Sequence, residues 1–251
     1  MLSDWAIQLA YNRQQAILDT VESPLRREIY REKKRFINAV EAEYDPARGI
    51  PNHLFADHER NMVEILRNSS AKVMARMAAE VELHASSPIG MRPKKSDAAI
   101  DMFFRQWFAL FGAQRAKDTA STTRDDLRRE LLRSQDEAGG EIPLLQRFLR
   151  ARGIAAFRAD TIARTETHNA AMAASTHTAD RMQDETGLVI LKQWVPVQDG
   201  RTRDAHAAMS GSRPIPMSGK FLVNGEYLDH PGQGSPGNAI NCRCVLVYEP
   251  Q

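Results

Sequence analysis

The uneven placement of glycine and proline constrains the fold more than any other feature of this sequence. Eight of the 14 glycines and six of the 12 prolines lie in the last 66 residues. Both residue types interrupt regular helices, glycine through its backbone freedom and proline through its missing N–H. The chain is therefore predicted to be mainly helical before Gly187 and to form short strands and turns after it. This pattern predicts an α+β fold.

Apolar periodicity and capping signals divide the region before Gly187 into several helices. The first is predicted over residues 2–44, with Pro24 as a break or kink, and Asn52 is predicted to cap the second. Five aromatic residues mark the next helix, and their spacing is typical of a buried stripe rather than of a cofactor site. They are Phe103, Phe104, Trp107, Phe108 and Phe111.

Two further glycines are predicted to end helices. Gly153 closes a short helix over residues 143–150, and Gly187 ends a long alanine-rich helix over residues 154–184. The alanines at 170–174 give this long helix a smooth surface that a neighbouring backbone can approach closely. We expect a mostly helical N-terminal region followed by a small C-terminal antiparallel-sheet domain packed on this helix.

Strand and turn signals follow one another closely after Gly187. The pair Asn224-Gly225 favours a type I′ hairpin turn, because both residues tolerate positive φ angles. Alternation over the last stretch predicts a strand with Cys242 and Cys244 on one face. The predicted elements are a strand over 188–195, a short helix over 201–209 capped by Asp199 or Thr202, a hairpin over 221–228 and a last strand over 240–248.

Charge, hydropathy and cysteine usage exclude several classes of protein. The net charge is +2, with 28 basic and 27 acidic residues before position 187 and 6 and 5 after it, so duplex DNA is not expected as a standing partner. No apolar run has the length of a membrane span, and no secretory leader is recognisable. Two cysteines close together do not make a disulfide framework, which favours a reducing cytoplasm.

An ordered set of motifs occupies the C-terminal third. It comprises Arg164-Thr165-Glu166, then Trp194-Val195-Pro196, then the polar segment 199–206 with Asp199, Arg201, Asp204 and His206, and finally Asn241-Cys242-Arg243-Cys244. In order and spacing, this set resembles the phage Mu F-like head-morphogenesis family over residues 155–250. The resemblance implies a head-morphogenesis domain over residues 151–251, behind a helical region over residues 1–150 that faces the portal or capsid.

The resemblance further implies a minor head protein rather than an enzyme. Such a protein is a virion component that assists procapsid assembly near the portal vertex and takes part in DNA packaging or delivery. The implied partners are the portal protein and other head proteins, with packaged DNA as a weaker one and no membrane. The implied location is the bacterial cytoplasm during assembly and then the virion head.

Two other function classes stay open on the sequence. One is a nuclease or toxin-like transferase that uses His206, Glu166 and Asp199. The other is a zinc-dependent nucleic-acid binder, which the near-neutral charge disfavours. The sequence contains no phosphate-binding loop of the type G-x-x-x-x-G-K-[ST], no G-x-S-x-G elbow and no H-E-x-x-H motif.

The C-x-C pair has two interpretations. On a strand, Cys242 and Cys244 would have Cα atoms about 6.5 to 7 Å apart, at or beyond the limit of an unstrained disulfide, but they could share a zinc ion with His206 as third ligand. Relatives of the family often have C-x-x-C at the stretch ending in His206, so the fourth ligand is missing here; Asp204, His230 and water are the candidates. The other interpretation, narrowly preferred, is a pair of small buried hydrophobes with His206 in a local hydrogen bond.

The remaining motif residues are predicted to be structural. Arg164 and His168 share one face of a helix and Glu166 lies on another, so Arg164 is expected to tie the helix to carbonyls or carboxylates of the sheet. Asp199, Arg201, Arg203 and Asp204 are expected to form local ion pairs at a helix start; Trp194 and Asn241 complete the structural set. The whole interpretation requires the turn at 201–206 to lie beside the segment at 241–244.

Overall fold

The computed structural model describes residues 2–45, 47–86, 97–132 and 144–251 and confirms the α+β fold class. Long helices dominate the first part, and short strands follow. The helical elements before Gly187 are α1 (Asp4–Glu43), α2 (Asn52–Ser86), α3 (Asp97–Trp107), a π-helical turn (Phe108–Gly112), α4 (Ala113–Leu132) and α5 (Leu144–Thr186). The later elements are β1 (Ile190–Val195), α6 (Asp204–Ala207), β2 (Ile215–Pro216), β3 (Phe221–Val223), β4 (Glu226–Leu228), α7 (Pro236–Ala239) and β5 (Val245–Pro250).

One predicted helix end is wrong, because α5 continues through Gly153. Helix α1 also continues through Pro24, which excludes a break there and leaves the kink a prediction. A glycine inside a helix costs about 1 kcal/mol relative to alanine, but Ala151 and Ala155 on either side of Gly153 are buried in a core cluster that offsets this cost. Gly187, in contrast, ends α5 as predicted, with a φ of +70° that a side chain would disfavour.

The aromatic stripe is buried only in part. Phe104, Trp107 and Phe108 are buried, whereas Phe111 is 56% exposed. The cause is the π-helical turn, which adds a residue to the turn and rotates the side chains after it out of register. Gly112 permits this turn, because a Cβ atom there would lie 2.4 Å from the Phe108 ring.

The chain divides into two compact units, neither of which is continuous in sequence. The sheet unit comprises residues 1–22, 69–106 and 164–251, and the helical unit comprises residues 23–68 and 107–163. Among its described residues, the helical unit has two apolar clusters, one around Phe36 and Leu127 and one around Ile29 and Met62. A domain boundary between residues 150 and 151 stays a prediction.

Antiparallel pairing builds the sheet unit around β1. The strand order is β2-β1-β5, with Trp194 opposite Leu246, and β3 and β4 form a separate hairpin. The hairpin turn has φ angles of 50° at Asn224 and 78° at Gly225, as the type I′ prediction requires. Helix α5 is tied to the sheet where the Ser175 hydroxyl donates a 2.9 Å hydrogen bond to the buried hydroxyl of Tyr248.

None of the helices in the described ranges is both long enough and apolar enough to span a membrane.

Candidate metal centre

The two cysteines follow a turn and precede β5, rather than lying in the strand that alternation predicted. Strand β5 begins only at Val245, and Asn241 has a φ of +57° that turns the chain. The Cys242 amide donates a hydrogen bond to the carbonyl of Ala239, which closes this turn. Both cysteines are buried and free. The strand geometry used to estimate their separation therefore does not apply.

Helix α6 brings His206 to these two sulfurs. Its Nδ1 atom lies 3.4 Å from Cys244 Sγ and 3.7 Å from Cys242 Sγ. The three donor atoms lie within 4.8 Å of one another, and all three residues are buried. The turn at 201–206 and the segment at 241–244 thus meet, as the sequence interpretation required.

Asn238 fixes the orientation of the His206 ring. Its side-chain amide donates to the carbonyl of Val223, so its Oδ1 atom faces the imidazole and accepts the Nε2 proton at 3.3 Å. In the neutral ring, the lone pair on Nδ1 then points towards the sulfurs. Histidines that bind a metal usually donate the N–H of their other ring nitrogen to a neighbouring group, which fixes the tautomer in this way. Trp194 packs edge-on against the same ring, with the centroids 5.6 Å apart.

The two thiols have different affinities for a proton. The Cys242 thiol donates a hydrogen bond to the Cys244 sulfur, and this bond lowers the pKa of Cys244 well below its ordinary value. The same bond and burial raise the pKa of Cys242. The backbone amides of Cys244 and Gly232 act against that rise, because they donate hydrogen bonds that favour the charged sulfur. The pair is therefore set up to carry one thiolate.

Two of the predicted candidates for a fourth ligand are not part of this group. Asp204 is exposed at the start of α6, and His230 is buried with its Nδ1 atom 2.8 Å from the carbonyl of Pro231. Among the described residues, no further histidine, cysteine, aspartate or glutamate completes the cluster of three.

Helix α5 binds the cysteine segment through three side chains. Arg164 donates hydrogen bonds to Asn241 Oδ1 at 3.3 Å and to Glu22 at 3.1 Å. Thr165 Oγ1 accepts a hydrogen bond from the Asn241 amide at 3.1 Å, and His168 Nε2 donates to the Cys244 carbonyl at 2.6 Å. These bonds fix both ends of the segment 241–244 on one helix.

Asp199 has a different main partner from the one expected. Arg243 binds its carboxylate through two hydrogen bonds of 2.6 and 2.9 Å and holds its pKa well below the usual range. Arg201 approaches the same carboxylate only at 3.5 Å. No side chain caps α6, so the predicted cap by Asp199 or Thr202 is wrong; the Thr202 hydroxyl donates to the carbonyl of Val197 instead.

Sequence reasoning missed Arg243, which stands between the two cysteines and 44 positions after Asp199. Its place inside the N-C-R-C motif was the available signal, but nothing local indicates its partner. Of the residues named for the enzyme alternative, Asp199 binds Arg243 and His206 contacts the sulfurs, while Glu166 is half-buried on α5. Arg203 donates to the carbonyl of Ile240 rather than to a carboxylate.

A cleft of about 250 Å³ adjoins the cluster of three donors. Its walls are one face of α1, three residues of α5 and three residues of the C-terminal segments. The last six are Arg164, Thr167, His168, Arg201, Cys242 and Arg243. Cys242 therefore belongs both to the donor cluster and to the cleft.

Two buried polar atoms of the cleft-lining residues have no hydrogen-bond partner in the described part of the chain, namely Thr167 Oγ1 and His168 Nδ1. Because the carbonyl of Cys244 can only accept a hydrogen bond, His168 carries its proton on Nε2 and a lone pair on Nδ1. Burial lowers the pKa of His168, which keeps the ring neutral. Gly232 leaves room for it, since a Cβ atom there would lie 2.7 Å from Nδ1.

Comparison with known proteins gives one result for this part of the chain. The family model described as "Phage Mu protein F like protein" matches residues 125–247. No curated protein and no solved structure matches the chain. The matched residues include the three donors, the α5 residues that bind the cysteine segment, and the Asp199–Arg243 pair.

Proposed function

We propose that this chain, which belongs to the phage Mu F-like family, is a minor head protein that acts in procapsid assembly near the portal vertex. The family relation supports a role in the phage head. The proposal adds the portal protein as the partner, assembly in the host cytoplasm and retention in the virion head. A role in DNA packaging or delivery is a secondary part of this proposal, because a net charge of only +2 does not favour strong binding to phosphates.

One observation carries the choice of a structural over a catalytic role. The motif residues bind one another: Arg243 binds Asp199, His168 binds the Cys244 carbonyl, and Thr165 binds the Asn241 amide. A catalytic group must have an atom available to a substrate, whereas these atoms are engaged in holding one module together. The motif set is therefore best explained as the framework of an assembly module.

We propose that the region 1–150 supplies the surface that joins the head. Leu110 and Phe111 lie in this region, within the π-helical turn, and are 71% and 56% exposed. Adjacent large apolar side chains at a surface are typical of protein contacts. Deleting residues 1–90 is an unsuitable test, since Val81 and Ala85 belong to the core of the sheet unit.

The full-length chain with the double substitution Leu110→Glu and Phe111→Glu tests this proposal. Procapsids are purified from infected or induced cells, and the copies of this chain per portal are counted by quantitative mass spectrometry. We expect the wild-type chain in the particles and at least a tenfold reduction for the double variant, while circular dichroism of the purified variant stays unchanged. The control is Tyr227→Glu, which alters a residue that is 69% exposed outside the region 1–150.

Absence of the wild-type chain from procapsids would contradict the head role itself. Normal incorporation of a folded double variant would contradict only the assignment of the docking surface. Loss of incorporation with Tyr227→Glu alone would move that surface to the β3–β4 hairpin.

We further propose that His206, Cys242 and Cys244 bind a zinc ion. A tetrahedral ion with Zn–S bonds of about 2.3 Å and Zn–N bonds of about 2.0 to 2.1 Å places nitrogen and sulfur about 3.6 Å apart. The separations of 3.4 and 3.7 Å agree with this value. A zinc ion there would cross-link the turn at 201–206 to the segment at 241–244, which is a structural contribution rather than a chemical step.

Elemental analysis and competition with a chromogenic chelator test the metal proposal. We expect one zinc ion per wild-type chain and at least a tenfold weaker affinity for His206→Asn. The matched control is His53→Asn, which alters a histidine that is exposed and outside the cluster. A wild-type chain that binds no zinc would leave the three residues as a hydrogen-bonded buried group.

A further inference from the structure

We infer that the proposed metal centre is open, and that an anion entering through the adjoining cleft takes the fourth coordination position. The inference rests on the metal proposal above and adds a ligand-binding site to it. A closed structural zinc site has four protein ligands, whereas a site with three protein ligands keeps one position for a ligand from solution. Among the described residues, the cluster offers three protein ligands, which leaves one position for a ligand from solution.

The cleft gives this position a route to solvent. Cys242 is one of the three donors and also lines the 250 Å³ cleft. The other two donors, His206 and Cys244, do not line it. His206 is covered on other sides by Asn238 and Trp194, which bind or contact its imidazole. Access to the ion is thus expected on the Cys242 side.

One cation at the cleft, Arg201, is only weakly paired and can approach an anionic ligand. Three guanidinium groups line it, those of Arg164, Arg201 and Arg243, and the α1 wall contributes two carboxylates, those of Asp19 and Glu22. Arg164 is paired with Glu22, and Arg243 is paired with Asp199 just outside the cleft. Arg201 is the least engaged cation of this set, because it is 80% exposed and its contact with Asp199 is 3.5 Å long. One carboxylate-sized anion would find Arg201 available to it.

The hydroxyl of Thr167 is a second, independent indication of a ligand. Two other threonines of α5 donate to the carbonyl four residues earlier, Thr176 to Met172 and Thr186 to Met182. Thr167 is 2% exposed, lines the cleft and has no such bond in the described part of the chain. A buried hydroxyl without a partner costs free energy unless a ligand or water binds it.

Cobalt substitution tests the inference with a readout that does not depend on catalysis. The full-length chain is titrated with Co²⁺, and the thiolate-to-cobalt charge-transfer band and the visible ligand-field bands are recorded. Sodium azide is then added as a monoanionic probe. We expect azide to shift the ligand-field bands with saturation, while the charge-transfer band shows that both sulfurs stay bound.

The outcomes separate this inference from the proposal on which it rests. A spectrum without the charge-transfer band would overturn the metal proposal and the open site together. A normal charge-transfer band with ligand-field bands that do not respond to azide would leave the metal proposal standing and overturn the open position.

Variants of the cleft then test the route. We expect Thr167→Val and Arg201→Gln each to weaken azide binding about three- to tenfold while Co²⁺ affinity stays within twofold, since one hydrogen bond or one exposed charge is removed. The matched controls are Thr176→Val on the same helix and Arg213→Gln, an exposed arginine outside the cleft. Equal azide affinity in all four variants would exclude the cleft as the entry path.

Discussion

In the sheet unit, polar side chains bind the backbone across long stretches of sequence, whereas in the helical unit they are buried close to other charges. His168 binds the carbonyl of Cys244, and Gln14 binds that of Leu246 at 2.8 Å. The helical unit instead buries Lys33, which is 1% exposed. The hydrogen bonds of the sheet unit specify which segments meet. The buried lysine of the helical unit instead places a charge where burial is unfavourable. We therefore expect substitutions in the two units to have opposite effects.

The largest effect is expected at Trp194, which is 1% exposed and contacts both His206 and Phe221 edge-on. Trp194→Ala should lower the free energy of unfolding by about 3 to 5 kcal/mol, as is usual when a buried aromatic side chain is removed. Denaturant titration followed by circular dichroism measures this change. Trp5→Ala is the control, because Trp5 is 73% exposed and its loss should cost less than about 0.5 kcal/mol.

A small effect of Trp194→Ala would mean that the three-donor cluster does not depend on the core beneath it. The polar contacts across long stretches of sequence would then hold the sheet unit together without this buried side chain.

The second effect has the opposite sign and concerns Lys33. Burial, with the nearby Arg158 cation, lowers its pKa to about 7, and Asp126 only partly opposes this shift. A folded-state pKa below the unfolded value means that the unfolded chain binds more protons between pH 7 and 10.5, so the stability due to this group rises over that interval. Lys33→Met should therefore stabilise the chain by on the order of 2 kcal/mol at neutral pH and below.

The measurement is urea denaturation of the wild-type chain and of Lys33→Met between pH 6 and pH 10. We expect the difference in free energy of unfolding to shrink as pH rises through this range. Lys34→Met is the control, because Lys34 is next to Lys33 in the sequence but its side chain is exposed. A variant that is less stable than the wild type at pH 6 would show that the ammonium group stabilises the bundle.

The same contrast explains which elements were predictable from the sequence. Gly187 and the pair Asn224-Gly225 were predicted correctly because each needs a positive φ angle that few residues adopt. Gly153 does not end a helix as predicted and Pro24 does not break α1, because packing along long helices outweighs a local preference of about 1 to 3 kcal/mol. Local rules therefore succeed at turns and fail inside packed helices.

The candidate site was predictable in its residues and in the meeting of its two segments, but not in its local geometry. The turn at Asn241 has a signal, since asparagine is one of the few residues that tolerate the left-handed region, but the alternation over 240–248 predicts a strand across the same positions. The Asp199–Arg243 pair had none, because two oppositely charged residues 44 positions apart carry no mark of their contact. Only the fold brings such residues together.

The smallest effects compare two glycines at which an added Cβ atom meets nothing within 4 Å. Gly153 lies inside α5 in the helical unit, so Gly153→Ala should stabilise the chain by about 0.4 to 1 kcal/mol through the reduced entropy of the unfolded state. Gly187 has a φ of +70° at the end of the same helix, so Gly187→Ala should cost about 1 to 2 kcal/mol through left-handed strain. Thermal unfolding of both variants shows whether each substitution raises or lowers the stability of the chain. Because space is equally free at both positions, stabilisation by both would show that the backbone at Gly187 relaxes and that α5 does not have to end there for the sheet to pack.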